Sequence, residues 1–188
     1  MDLLTVLRLQ ARANRLANHR LHGAMAALSH DEVHAPRSSF FPSLMATLNH
    51  ILAVDQYYVG ALLGQTDRRE LREHWARFVP DDALDALAAR QAASDERLIG
   101  LCDALDAARC DAIVELPRRD HVQRERAGFV LQHLAMHQTH HRGQVHTMLS
   151  GSAVAPPQLD EFLLPSEAAL RRADMAALGW DEVAVYGG

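Results

Sequence analysis

Residues 41–64, FPSLMATLNHILAVDQYYVGALLG, are apolar on nearly every side of a helix. A helix with no polar face has nothing to turn toward water, so it belongs in the middle of a protein built of other helices. Pro42 is tolerated in its first turn, residues 38–41 lead into it, and Gly64 marks its end. His50 is the only histidine in this segment, in line with Thr47, Val54, Tyr57 and Ala61 on a face turned to a neighbouring helix. Asp55 falls about 140° round from His50, which makes it a supporting or structural carboxylate rather than a co-ligand.

A second helix is expected over residues 126–150, closed by Gly151. Its stretch LQHLAMHQTHHRGQVHTML, residues 131–149, holds five of the chain's 12 histidines, and helical spacing sorts them. His137 and His141 stand one turn apart, offset by roughly 40°, on the stripe that also carries Val130, Leu134, Val145 and Met148. His146 points the opposite way, and His133 and His140 sit on the shoulders of the stripe. An unpaired buried imidazole is costly. Hydrogen bonds to other helices relieve that cost, and so does a shared metal ion. Gly143 costs about 1 kcal/mol relative to alanine inside a helix, and suggests a close helix crossing.

The remaining chain supplies partners. Residues 3–29 read as one long helix, with Leu7, Leu21 and Leu28 at sevens and Ala17, Ala24 and Met25 between them. Asn14 falls in that stripe, where it would fix register through a bond to a neighbour. SHDE at residues 29–32 has capping-box form, and Pro36 breaks the chain after it. Residues 65–80 form a polar connector with one short helix, anchored by Trp75 and Phe78. Pro80, Asp81 and Asp82 open a third long helix to about residue 108, carrying Leu84, Leu87, Gln91, Ser94, Leu98, Leu101 and Leu105. Cys102 reads as a packing residue. Residues 113–116 and 121–124 flank a turn and form a small β-hairpin. After a loop marked by Pro156 and Pro157, a last helix runs over residues 166–178, N-capped by Ser166 and stopped by Gly179.

The expected fold is therefore all-α: a four-helix bundle with a small β-hairpin before the last bundle helix and a C-terminal extra helix. Residues 1–162 make the bundle, and residues 163–188 form a helical extension packed on the same domain. A net charge of −5 offers no basic surface for nucleic acid. No apolar run reaches the ~18 residues that cross a membrane. The first ten residues lack a signal peptide's apolar core. Cys102 and Cys110, without CxxC spacing, fit a reducing compartment, so the expectation is a cytoplasmic protein.

Two histidines from one helix and one from another make a three-nitrogen site with a position left open. That pattern belongs to catalytic rather than structural zinc centres. Imidazole also suits nickel, iron and cobalt, so the donors alone do not choose the metal. Gln138 follows His137, so the metalloprotease motif HExxH is absent, and no GxSxG, Walker A or dinucleotide fingerprint occurs.

HQTHHRGQV at residues 137–145, SLMATLNHILAVD at residues 43–55, ARANRLANHRL near the start, and the proline loop followed by Gln158, Leu159 and Asp160 together resemble the DinB-like family of metal-binding four-helix-bundle proteins. The resemblance covers most of residues 8–162. It implies that His50, His137 and His141 are metal ligands, the same three that helical geometry selects. Arg142 and Gln144 match motif positions read as packing or as support for the ligands. A divalent ion, nickel or zinc most often, and a homodimer are implied as well. The better understood relatives join low-molecular-weight thiols to electrophiles, so a metal-dependent thiol S-transferase is the expected activity. A metal-dependent hydrolase and a non-catalytic metal-binding stress-response protein are the alternatives. No catalytic acid or base is assigned; Tyr57 and Tyr58 are the nearest candidates.

Overall fold

Among the described residues, seven helices and two strands precede the turns of the C-terminal tail. The computed structural model describes residues 2–64 and 66–186. Helix α1 (Leu3–Met25) is followed by the short α2 (His30–His34), then α3 (Leu44–Leu63), α4 (Arg68–Arg77) and α5 (Leu84–Asp103). After α6 (Ala107–Asp111) comes the hairpin of β1 (Ile113–Pro117) and β2 (Val122–Arg126), and then α7 (Ala127–Ser150). A 3-10 turn (Pro165–Glu167), α8 (Ala168–Ala177) and α9 (Glu182–Tyr186) finish the chain. The four long helices close a ring: α1 packs on α5 and α7, and α3 packs on α5 and α7. The fold is all-α apart from the hairpin, in which Ile113 pairs with Arg126 and Pro117 with Val122. No described helix is long and apolar enough to cross a membrane.

Several boundaries differ from those expected, each for a local reason. α1 stops at Met25, not at residue 29, because Ser29 starts α2 with a reciprocal capping box to Glu32. α3 begins at Leu44. Ser43 caps it by accepting from the Ala46 N–H, so Pro42 lies outside the helix, where its carbonyl accepts the Arg37 N–H at 2.7 Å. Gly64 ends α3 in the left-handed region, φ 64°. Asp81 and Asp82 precede α5 rather than opening it, and Asn49 holds the Asp81 backbone through both its N–H (2.7 Å) and its carbonyl (2.8 Å). α5 ends at Asp103 because Asp106 caps a new helix, α6.

α4 is anchored by buried Leu71, whereas Trp75, expected as an anchor, is 48% exposed. The His74 ring bonds the Ala53 carbonyl at 2.7 Å, and the Trp75 ring lies 5.5 Å from that of Tyr57, so α4 leans on α3. Gly143 makes no close crossing among the described residues, since a Cβ built there meets nothing of them within 4 Å. Ser166 lies inside the 3-10 turn and caps nothing, while Gly179 does end its helix, with φ 69°. Gln65, the first residue of the expected connector, and residues 1, 187 and 188 lie outside the described residues.

The tail is tied to the bundle by one guanidinium. Arg20 of α1 donates to the Gln158 and Leu170 carbonyls and pairs with Glu161 (2.9 Å) and Asp174 (2.8 Å). Phe162 and Met175 pack against Leu9 and Leu16.

Inside the ring the apolar core is split. One cluster holds Leu7, Ala11, Tyr57, Leu98, Leu131 and Leu134 among others. Another holds Leu21, Met25, Leu48, Leu52, Leu87, Val145 and Leu149. Between them every long helix contributes buried polar groups: Asn14 and Asn18, Asp55, Gln91 and Asp95, and Gln138 and Arg142. Asp95 accepts from Asn14 (2.9 Å), Asn18 (3.0 Å) and Gln91 (3.0 Å). Asp55 accepts from Gln91 (2.7 Å) and Gln138 (3.1 Å), and Arg142 donates to Asn14 and Asn18. Burial raises both carboxyl pKa values and lowers that of the guanidinium, which favours a layer of little net charge. Such a layer sets helix register, because sliding any helix by one turn of ~5.4 Å would move polar groups into an apolar cluster.

Candidate metal centre

The three histidines picked out by helical spacing meet between α3 and α7, at the level of the polar layer. The Nε2 atoms of His50 and His137 are 3.0 Å apart. Ring centroids are separated by 5.0 Å (His50–His137), 4.6 Å (His50–His141) and 4.4 Å (His137–His141). One nitrogen from each ring lies within 4.8 Å of the other two, a group that could hold a metal ion. A tetrahedral ion with metal–nitrogen bonds of ~2.0–2.1 Å needs nitrogens ~3.3 Å apart, which only small ring movements would reach. His141 is buried, and His50 and His137 are half-buried, so the group can be reached from solvent.

The electrostatics suit a cation without a proton competing for the donors. Burial, reinforced by the neighbouring imidazoles, pushes His50 down to about 4 and His137 down to about 3. His141 is lowered as well, burial outweighing its bond to Gln144. At neutral pH all three are neutral rings with a lone pair to give. His137 Nδ1 is buried with no hydrogen-bond partner among the described residues, so that ring is not held by an ordinary core hydrogen bond at that nitrogen. Three converging neutral imidazoles fit a divalent transition-metal ion.

The surroundings hold the rings in place. Gln144 accepts from His141 Nδ1 at 2.8 Å, while its amide nitrogen lies 3.3 Å from His140. Phe41, carried by the chain ahead of α3, lies 4.3 Å from the His50 ring and 5.7 Å from His141. A cleft of about 560 Å³ lined by Arg37, Ser38, Ser39, Phe40, His140 and Gln144 meets this surround at Gln144, and none of the three histidines lines it. Phe41 was not legible as a neighbour of the site. Gln144 was legible as a motif position read as packing or support for the ligands, and the structure gives it the second role through its bond to His141.

Other candidate residues lie elsewhere. Asp55 is in the polar layer and reaches α7 through Gln138. Tyr57 donates to the Pro117 carbonyl at 2.9 Å, and the Tyr58 hydroxyl accepts from Arg118 at 3.1 Å, so both hydroxyls are engaged with the hairpin. Exposed His133 lies edge-on to Tyr58, and His146 bonds the Pro157 carbonyl at 3.1 Å. Cys102 is buried and its thiol is pushed up to about 12, chiefly by burial, so it is not a nucleophile.

A helical bundle with an open three-imidazole group between two of its long helices defines a class of metal-binding bundle proteins. Within that class the assignment is direct: the DinB family model matches residues 5–174, and the chain belongs to the DinB family. No curated protein matches it.

Proposed function

We propose that His50, His137 and His141 bind a divalent ion, nickel or zinc, and that the protein is a metal-dependent transferase joining a low-molecular-weight thiol to an electrophile. The observation that carries this reading is the convergence of three neutral imidazoles, with a cleft edged by Arg37, Ser38 and Ser39 reaching the Gln144 that bonds His141. When bound, such an ion supplies Lewis acidity that brings the pKa of a thiol or water into the neutral range. The chain's own residues do the rest. Gln144 holds His141 in one tautomer, Phe41 shields the rings from water on one side, and Arg37 gives a cationic edge suited to a thiol that carries a carboxylate.

The test has two stages. Equilibrium dialysis with metal analysis on His50→Ala, His137→Ala and His141→Ala reads the site; metal retained in full by all three variants sinks it. The metal-loaded protein is then assayed against electrophiles with and without a thiol. Turnover that needs the thiol supports the transferase, and turnover without it favours hydrolysis.

One observation favours a second reading, a metal-binding protein without turnover. The two tyrosine hydroxyls nearest in sequence to the site are engaged with the hairpin, leaving no side chain assigned as acid or base. A metal that raises the melting temperature, with a spectrum unmoved by thiols or electrophiles, would favour it. The homodimer is part of the proposal too. Phe129 and Met136, two turns apart on α7, are 66% and 73% exposed and suit burial against a second copy. Light scattering on the eluted protein reads the mass directly.

A further inference from the structure

A second cluster of metal-ligating side chains lies away from the triad, where α2 meets the start of α5. His30 and His34 are one turn apart on α2, with ring centroids 4.4 Å apart. Both direct Nε2 at the same residue. His30 Nε2 is 3.0 Å from one carboxylate oxygen of Asp82, and His34 Nε2 is 3.5 Å from the other. Ligand atoms of all three residues lie within 4.8 Å of one another. His34 Nε2 also donates to the Asp82 main-chain carbonyl at 2.9 Å, a bond that holds the loop against α2 and that an ion on the same nitrogen would replace. His30 lines the neighbouring cleft of about 570 Å³, together with Arg15, His19, His22, Leu28 and Val33.

We infer that His30, His34 and Asp82 form a second divalent-metal site, which pins α2 to the start of α5. Two imidazoles and one carboxylate favour zinc, nickel, cobalt or copper over calcium or magnesium, which prefer all-oxygen donors. The two histidines come from a single helical turn and the carboxylate from the loop before α5, so an ion there crosslinks two segments 48 or more residues apart. The crosslink has a consequence at the triad. α2 leads directly into the chain that carries Arg37 and Phe41, and the Arg37 guanidinium already bonds the Glu32 carbonyl of α2 at 3.0 Å. Fixing α2 therefore fixes the foot of the loop whose Phe41 covers His50. The ion acts as a brace; its donors lie on the surface and its coordination is completed by water.

The experiment is a zinc titration of the metal-free full-length chain, with bound ion counted by equilibrium dialysis. The wild type, the double variant His30→Ala/His34→Ala, Asp82→Asn and His137→Ala are compared, with circular dichroism as the check on folding. His30 and Asp82 are exposed and His34 is partly exposed, so the helical spectrum of the wild type is expected from each variant. The double variant is expected to bind one ion fewer than the wild type, and Asp82→Asn to weaken that ion by roughly 100-fold, since even residues that only support a ligand cost 10–100-fold. His137→Ala should keep it. Loss of one ion in the double variant supports this site whatever His137→Ala does, and the triad is judged separately by full retention of metal in all three of its own variants. Equal uptake by wild type and double variant across the titration overturns it.

Discussion

The Gln144 amide oxygen accepts a hydrogen bond from Nδ1 of His141 at 2.8 Å. An amide oxygen cannot donate, so the ring proton sits on Nδ1 and the lone pair on Nε2 is free for an ion. Gln144→Leu removes that constraint without touching any of the three histidines. It is expected to weaken zinc or nickel binding by about 10–100-fold with helix content unchanged. Competition against a chromophoric chelator measures it, and an unaltered affinity would show that Gln144 does not orient the ring.

Asp95 is the acceptor that holds three helices together, bonding Asn14 and Asn18 of α1 and Gln91 on its own helix, which in turn bonds Asp55 of α3. Asp95→Ala strands those donors in a buried layer and leaves Arg142 with one carboxylate fewer nearby. The expected loss is on the order of 3–5 kcal/mol in urea unfolding. Asn14→Ala removes one partner of Arg142 and one of Asp95, and should cost about 1–3 kcal/mol. A loss for Asp95→Ala no larger than that of an exposed substitution would contradict this account.

His22 is buried on α1 and is pushed from 6.5 down to about 4, foremost by burial and then by Arg15, Arg142 and His19. As pH falls, the unfolded chain takes up this proton first. Stability from His22 is therefore whole above about pH 6.5 and is lost as pH drops toward 4, by on the order of 3 kcal/mol in all. The raised carboxylates Asp55 and Asp95 act with the opposite sign, being protonated in the fold where the unfolded chain is not. The informative quantity is thus the difference between wild type and His22→Leu, followed by urea unfolding from pH 7.5 to 4. Parallel curves would clear His22 of any part in the acid response.

Arg20 makes four separate attachments to the tail, so Arg20→Ala should release it. Hydrogen exchange in α8 and in the chain leading to it should speed up markedly, while α3 and α7 keep their protection. The global cost is expected to be on the order of 2 kcal/mol. Uniform acceleration across all helices would mean that the tail and bundle do not open separately.

The triad was legible because one rule, the helical repeat, places His137 beside His141 and turns His50 toward a neighbour, and nothing in the packing interferes. Gly64 and the Ser29 capping box were legible for a similar reason: each acts within four residues. Helix ends at Met25 and Asp103 were not. Leu28 and Leu105 prolong the apolar pattern past both, and only the competing caps Ser29 and Asp106 decide. Trp75 was the expected anchor on size, but the smaller Leu71 is the one that faces α3. Asn14 was expected to be buried and bonded. Its partners Asp95 and Arg142 lie 81 and 128 residues away, and the order of helices around the ring that joins them is not written in any local pattern.

The seam of amides and carboxylates gives this bundle two hydrophobic compartments in series instead of one. Atoms around Leu131 cannot relax into a void opened near Leu149, because hydrogen-bonded side chains stand between them. Damage at either end is therefore local, and costs at the two ends simply add. Each compartment can drift in sequence on its own, while the waist between them, where the imidazoles sit, keeps its shape.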